Sequence, residues 1–270
     1  MEYMKTKALV LDIDGTLTNS LKEITQATKE ALLGILEKGH KIVLASGRPA
    51  FGMGRYVREL ELEKYGGYVL SHNGARVFDC RSGEVIFEKA VPPEVLPGIY
   101  EFAMKNGCGL ATHSDDTVIS AFEPDRYVSW EAKINGMPIY RAEDFVEYVD
   151  FPVYKCFMTA EEQRSAVLEK QLQDLFGGMV SVYRSEPYFI EIVPRHVDKG
   201  DSLRRLMETV GIEHGNVVSC GDGFNDISMI RYAGVGVAMG NAVEVLKREA
   251  DYIAESNDAD GLVQVIRNFF

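Results

Sequence analysis

Three short apolar runs near the N-terminus each end abruptly in a polar cluster containing a glycine. Ala8-Leu-Val-Leu11 runs into Asp12-Ile-Asp14-Gly15-Thr16, Lys41-Ile-Val-Leu-Ala45 into Ser46-Gly47-Arg48-Pro49, and Tyr68-Val-Leu70 into Ser71-His-Asn73-Gly74. Runs this short, apolar on both side-chain faces, read as strands buried in a parallel sheet. Between the first two, apolar residues recur at Ala27, Ala31, Leu32, Ile35 and Leu36, the spacing of one helix face, and Gly39 supplies a stop. A second helix is predicted over about 52–60, from its position between two such strands.

The pattern then changes. Ala75–Phe78 and Glu84–Phe87 flank Arg81-Ser-Gly83, and Gly109–His113 and Thr117–Ala121 flank Ser114-Asp-Asp116; both read as hairpins. Pro92-Pro93 open a helix reaching about Asn106, and another is expected over about 161–175. Short strands follow at 153–158, 180–184 and 188–193, so the middle of the chain is α+β. Near Pro194 the first pattern returns, with helices expected over about 200–210, 226–233, 242–250 and 261–270. Strands are expected at 217–220, 235–239 and 252–254. The fold class is therefore α/β: a doubly wound, three-layer parallel-sheet core, Rossmann-like, interrupted by an inserted α+β domain. The boundaries fall at 1–80 and 193–270 for the core and 81–192 for the insertion.

Composition narrows the function. The chain has 270 residues and a formal charge of −12, from 41 acidic and 29 basic residues, which argues against nucleic acid or an anionic membrane as partner. No aliphatic run approaches the ~20 residues of a membrane span, and the N-terminal residues lack the apolar core of a signal peptide. Cys80, Cys108, Cys156 and Cys220 show no CxxC or zinc-knuckle spacing and read as reduced packing residues of a cytoplasmic protein.

In open parallel sheets, ligands bind beyond the carboxyl ends of strands, and four motifs fall there: Asp12-Ile-Asp14-Gly-Thr16, Ser46-Gly47-Arg48, Asp198-Lys199-Gly200 at a helix start, and Gly221-Asp222-Gly-Phe-Asn225-Asp226. Closely spaced carboxylates repel one another unless a cation lies near, and an all-oxygen donor set suits Mg²⁺. These motifs, with Asn73-Gly74-Ala75 and in this order, resemble the haloacid dehalogenase-like (HAD) phosphatases over essentially the whole chain, and more narrowly the Cof-type members with a large inserted α+β cap.

The resemblance implies a Mg²⁺-dependent phosphatase of small phosphorylated metabolites, chiefly sugar phosphates, whose cap closes over the substrate and excludes water. It implies Asp12 as nucleophile forming an aspartyl phosphate, Asp14 as general acid and then base, and Lys199 as the cation on the same phosphate. The metal set it implies is Asp12, the Asp14 backbone carbonyl and Asp222, with Asp226 joining through water or Lys199. Gly15, Ser46, Gly47, Asn73, Gly74 and Asn225 would bind phosphate or shape the cleft. Arg48 would reach the substrate or form a core salt bridge.

The remaining residues are less telling. His40, His196 and His214 read as loop or surface positions. His113, Asp115, Tyr188 and Glu191 are candidate cap contacts. Phe151, Tyr154, Phe157 and Trp130 read as cap core. Two other functions remain open: a sugar phosphomutase, which would need cap cations such as Arg126, Lys133 and Arg141 to hold a second phosphate, and a non-catalytic metabolite-binding relative. A monomer or small homo-oligomer is expected.

Overall fold

The structure is a computed structural model that describes residues 5–270. In chain order, the first segment holds β1 (Ala8–Leu11), α1 (Gln26–Glu37), β2 (Lys41–Ala45), α2 (Ala50–Glu59), α3 (Leu62–Tyr65), β3 (Tyr68–Ser71), β4 (Arg76–Asp79) and β5 (Val85–Glu88). The middle segment holds α4 (Leu96–Asn106), β6 (Gly109–His113), β7 (Val118–Ser120), α5 (Arg126–Asn135), β8 (Ile139–Arg141), α6 (Phe145–Tyr148), β9 (Cys156–Thr159), α7 (Glu162–Phe176), β10 (Val180–Glu186) and β11 (Phe189–Pro194). The last holds α8 (Lys199–Val210), β12 (Val217–Gly221), α9 (Ile227–Tyr232), β13 (Val235–Ala238), α10 (Glu244–Glu249), β14 (Tyr252–Ile253) and α11 (Gly261–Phe269).

Two compact units result. The first comprises the chain up to Gly47, Met53–Glu88 and Asp198–Phe270; the second comprises Arg48–Gly52 and Lys89–Val197. The first unit is built on one eight-stranded sheet, ordered β14-β13-β12-β1-β2-β3-β4-β5. All pairs from β14 to β3 are parallel. β1 is buried on both faces, with Leu9 and Leu11 in one apolar cluster and Ala8 and Val10 in another. The chain leaves β1 toward β2 and β3 on one side and later fills β12, β13 and β14 on the other. The gap between β1 and β12 is thus a topological switch point, where ligands enter such sheets. The parallel pairing Leu11↔Cys220 brings the ends of these two strands together.

The expected hairpin at 75–87 forms, but it belongs to the core sheet. β4 pairs antiparallel with β3 and with β5, so the inserted stretch runs from Lys89 to Val197, starting and ending later than the expected 81–192. The reason is local: Asn73-Gly74 turns the chain straight back onto β3. Val77 then enters the apolar cluster that also holds Val43 and Leu70.

The second unit has a six-stranded sheet, ordered β10-β11-β9-β6-β7-β8. One face carries Cys156, Met158, Ile190 and Ile192 in the same cluster as α4 and α7 residues. The other carries Phe157, Phe189 and Ala111 against Val128 and Ala132 of α5. Apolar spacing alone does not predict helix α5. Asp125 caps its start, accepting from the Tyr127 and Val128 amides at 2.8 Å each, and Gly136 ends it at φ 65°. No described helix is long and apolar enough to cross a membrane.

Candidate active site

Asp12 follows β1 and hands its amide to the Cys220 carbonyl at the end of β12, at 3.1 Å. The chain then makes a wide turn, with Leu17 N bonded to Asp12 O and Thr18 N to Ile13 O. Gly15 sits in that turn at φ +87°, and a β-carbon there would lie 2.4 Å from Asp222 Oδ2. Only glycine combines this left-handed backbone with so close an approach of the Asp222 carboxylate. Thr16 Oγ1 donates to the other Asp222 oxygen at 2.8 Å.

Lys199, at the start of α8, is the centre of the arrangement. Its side chain is fully buried, and Nζ donates to Asp12 Oδ1 and to Asp226 Oδ1, both at 2.6 Å. Burial opposes its charge, but Asp12 and Asp226 outweigh that and hold the ammonium above its ordinary range. Asp226 is 1% exposed, and its second oxygen accepts from the Asp222 and Gly223 amides at 2.9 Å each. Both of its oxygens are therefore occupied by protein donors.

Glycines at the start of α8 and the end of β12 allow the close fit. A β-carbon on Gly200 would lie 2.4 Å from the Ser228 carbonyl, and one on Gly221 would lie 2.5 Å from Asp226 Cβ. Asn73 (φ 56°) and Gly74 (φ +96°) are both left-handed, after His72 at φ 50°. Ser202 on α8 clamps this strained turn by donating to the Gly74 carbonyl at 2.9 Å. Asn225 Nδ2 donates to Asn73 Oδ1 at 3.0 Å, and the Asn73 amide donates to the Ser46 carbonyl at 2.9 Å. A β-carbon on Gly47 would lie 3.3 Å from the Asn73 amide group.

The structure thus brings Asp12, Asp14, Gly15, Lys199, Asp222 and Asp226 into one cluster, and links Ser46, Asn73 and Asn225 by hydrogen bonds, with Gly47 and Gly74 beside Asn73. Arg48 groups differently: it falls in the second unit, where Nη1 donates to the Ile134 carbonyl at 2.7 Å. Asp14 carries a partner that no motif announces. Lys22 Nζ donates to Asp14 Oδ1 at 2.9 Å from a left-handed backbone (φ 63°), and Arg55 donates to the Lys22 carbonyl at 3.0 Å. Thr16, visible inside its motif, and Lys22, visible in none, are the functional candidates that sequence reasoning passed over.

Asp12, Asp222 and Asp226 offer carboxylate oxygens within 4.8 Å of one another. Burial, with Asp226 and Asp222 adding to it, raises the Asp12 carboxyl against the pull of Lys199. Burial likewise pushes Asp222 up to about 6. Carboxyls held above their ordinary range by burial and mutual repulsion are relieved by a cation. A small oxygen-seeking ion such as Mg²⁺ fits this donor set.

A family model for haloacid dehalogenase-like hydrolases matches residues 9–266. The chain belongs to this family. It is 42% identical to a haloacid dehalogenase-like hydrolase from Bacteroides thetaiotaomicron, with a TM-score of 0.95 over 98% of this chain and 100% of that one. YxeH of Bacillus subtilis is 32% identical over 265 residues, covering 96% of this chain and 97% of that protein. The subclass IIB sugar phosphatase BT4131 is 29% identical, with a TM-score of 0.81 over 98% and 99% of the two chains. For a haloacid dehalogenase-like hydrolase of this kind, the α/β core and the large inserted α+β unit are the expected pair.

Several smaller expectations change. His40 is buried, edge-on to Phe270 at 5.2 Å, with Nδ1 accepting from the Lys7 amide at 3.1 Å. Trp130 is 50% exposed and does not belong to the apolar core, whereas Phe157 does. Cys220 is strand filler in β12, its thiol pushed up by burial, and all four cysteines are buried and form no disulfide.

Proposed function

We propose that the chain is a Mg²⁺-dependent phosphatase of small phosphorylated metabolites, sugar phosphates foremost, that works through an aspartyl phosphate on Asp12. The observation that carries this reading is the buried Lys199 ammonium bonded to both Asp12 and Asp226 at 2.6 Å. That contact sets a positive charge against a carboxylate fixed at the end of a central strand, as a nucleophile of this kind requires.

In the first step an Asp12 oxygen bonds to phosphorus, the bond from phosphorus to the leaving alcohol breaks, and Asp14 gives that alcohol its proton. In the second step Asp14 takes a proton from water, the water oxygen bonds to phosphorus, and Asp12 is released with inorganic phosphate. Asp12, the Asp14 carbonyl and Asp222 would hold Mg²⁺, which lowers the repulsion between a carboxylate and a phosphate dianion. Asp226, with both oxygens occupied, orients Lys199 and the 222–223 amides and does not ligate directly. Ser46, Gly47, Asn73 and Asn225 would bind the phosphate oxygens.

The relatives support the class: BT4131 is titled a sugar phosphatase. The mutase alternative is weaker, because Arg126 pairs with Glu161 at 3.1 Å, Arg141 faces Glu123 at 4.0 Å, and Lys133 lies over the Trp130 ring. We place the protein in the cytoplasm. The test is phosphate release from p-nitrophenyl phosphate and a panel of sugar phosphates. Asp12→Asn should fall below about 1% of wild-type turnover while remaining folded; turnover near wild type would end the proposal.

A further inference from the structure

Three strand ends meet over the turn that follows β1. Past β12 stands Asp222, past β13 Asn241, and past β14 Asn257. In the order β14-β13-β12-β1 these ends are neighbours, held in register by the pairs Gly221↔Ala238 and Ala238↔Ile253. The Val243 amide donates to the Asp222 carbonyl at 3.0 Å, so the loop that carries Asn241 is tied to the backbone of Asp222 itself.

Asn241 and Asn257 take no part in the phosphate chemistry above, yet both reach the turn. Asn241 Nδ2 donates to the Gly15 carbonyl at 2.8 Å, across 226 positions of sequence. Its Oδ1 accepts from the Asn257 amide at 3.0 Å. Asn257 Nδ2 in turn donates to the Thr18 carbonyl at 2.9 Å. An asparagine in a turn commonly bonds its own backbone two residues on; this one bonds a distant segment. A side-chain amide also suits both neighbours at once, because a carbonyl needs a donor and a backbone N–H needs an acceptor. Aspartate here would set an oxygen against the Gly15 carbonyl.

Gly15 is where such a lock matters. Its left-handed backbone (φ +87°) belongs to the residue type with the most conformational freedom. On one side of it lies the Asp14 carbonyl. On the other lies Thr16, whose Oγ1 donates to Asp222 Oδ1 at 2.8 Å. The bonds close a ring that runs from the Asp222 backbone through Val243 and Asn241 to Gly15, and through Thr16 back to the Asp222 carboxylate. That ring fixes the Asp14–Thr16 turn relative to Asp222. We propose that Asn241, itself held by Asn257, is a positioning residue for metal binding: it locks the Gly15–Thr16 peptide and so presets the Asp14 carbonyl and the Asp222 carboxylate for Mg²⁺. This role rests on the Mg²⁺ reading of the site.

Isothermal titration of the full chain with Mg²⁺, with no phosphate ester present, tests the role without turnover. Asn241→Ala should bind Mg²⁺ about tenfold more weakly than wild type, the low end of what losing a group behind a metal ligand costs. Asn241 is exposed, so the urea midpoint of this variant without metal should stay close to wild type. Ser20→Ala supplies the control. Ser20 ties the same stretch to Asp258, through its amide at 2.7 Å and Oγ at 2.6 Å, but farther along from Gly15. Its Mg²⁺ affinity should match wild type. Wild-type affinity in Asn241→Ala would overturn the proposal. So would an equal weakening in Ser20→Ala, or a urea midpoint in Asn241→Ala that falls together with the affinity, since either would make Asn241 a general tie between segments. A wild-type chain that takes up no Mg²⁺ would instead end the metal reading itself, and this role with it.

Discussion

Lys199 Nζ lies 2.6 Å from Asp12 Oδ1 with no exposure to solvent, and the same nitrogen reaches Asp226 Oδ1 at 2.6 Å. One buried ammonium thus bridges two buried carboxyl groups. Lys199→Met leaves both without their partner. We expect a stability loss of about 3–5 kcal/mol, the range for breaking a buried ion pair from one side, together with near-complete loss of turnover. Urea unfolding and phosphate release check the two parts. Wild-type stability in this variant would show that the pair is not the structural anchor described above.

Asp222 faces the Gly15 turn and accepts from Thr16 at 2.8 Å. If it holds the metal with Asp12, Mg²⁺ should raise the melting temperature of the wild-type protein, and Asp222→Asn should abolish most of that rise. Chelation should stop turnover, and Ca²⁺ should restore it poorly because its looser, higher coordination misplaces the attack. Equal Mg²⁺ stabilisation of both proteins, read by calorimetry, would remove Asp222 from the metal site.

Lys22 pairs with Asp14 at 2.9 Å from a left-handed backbone held by Arg55, and in the proposed mechanism it positions the general acid. The contact is exposed and worth little to stability. Its effect should appear where proton donation matters. An alkoxide leaving group needs the proton far more than p-nitrophenolate does. For Lys22→Met, the ratio of kcat/KM for an alkyl phosphate to that for p-nitrophenyl phosphate should fall by about tenfold, a factor of the size general-acid effects allow. Lys22→Arg should restore it. Equal losses on both esters would mean that Lys22 acts only through structure.

His113 gives the second unit an acid sensitivity. Burial lowers its pKa below the ordinary 6.5. The unfolded chain therefore binds a proton more readily than the folded one just below that value. The stability contributed by neutral His113 is present above about pH 6.5 and is lost as pH falls. Glu131, held low, loses its contribution in the same direction at more acid pH, below its ordinary 4.5. Denaturant unfolding between pH 7 and 5 should show a slope of stability against pH that is larger in wild type than in His113→Asn by up to about 1.4 kcal/mol per pH unit. Identical slopes would exclude His113 as its source.

Much of this was legible because strand ends in a parallel sheet carry their motifs in sequence. Asp12, Asp222 and Lys199 stand at the ends of β1 and β12 and the start of α8, each marked by a glycine that the packing needs. The hairpin at 76–88 was visible as a hairpin but not as part of the core, because pairing partner is a tertiary choice. Helix α5 lacked a clear apolar stripe, since Trp130, Glu131 and Ile134 face a cavity and not a core. Asp125 and Gly136 cap it, a local signal that sequence reasoning did not use. Lys22 was invisible because its role depends on a loop conformation that no local pattern encodes.

If Asp12 carries the phosphoryl group, an acyl phosphate accumulates on it during turnover. Acid quenching, reduction with borohydride and peptide mass spectrometry read that directly, because an acyl phosphate is reduced where a free carboxylate is not. Reduction should fall at Asp12 and should require both substrate and Mg²⁺. Reduction at another residue, or none while phosphate is being released, would contradict the aspartyl-phosphate route.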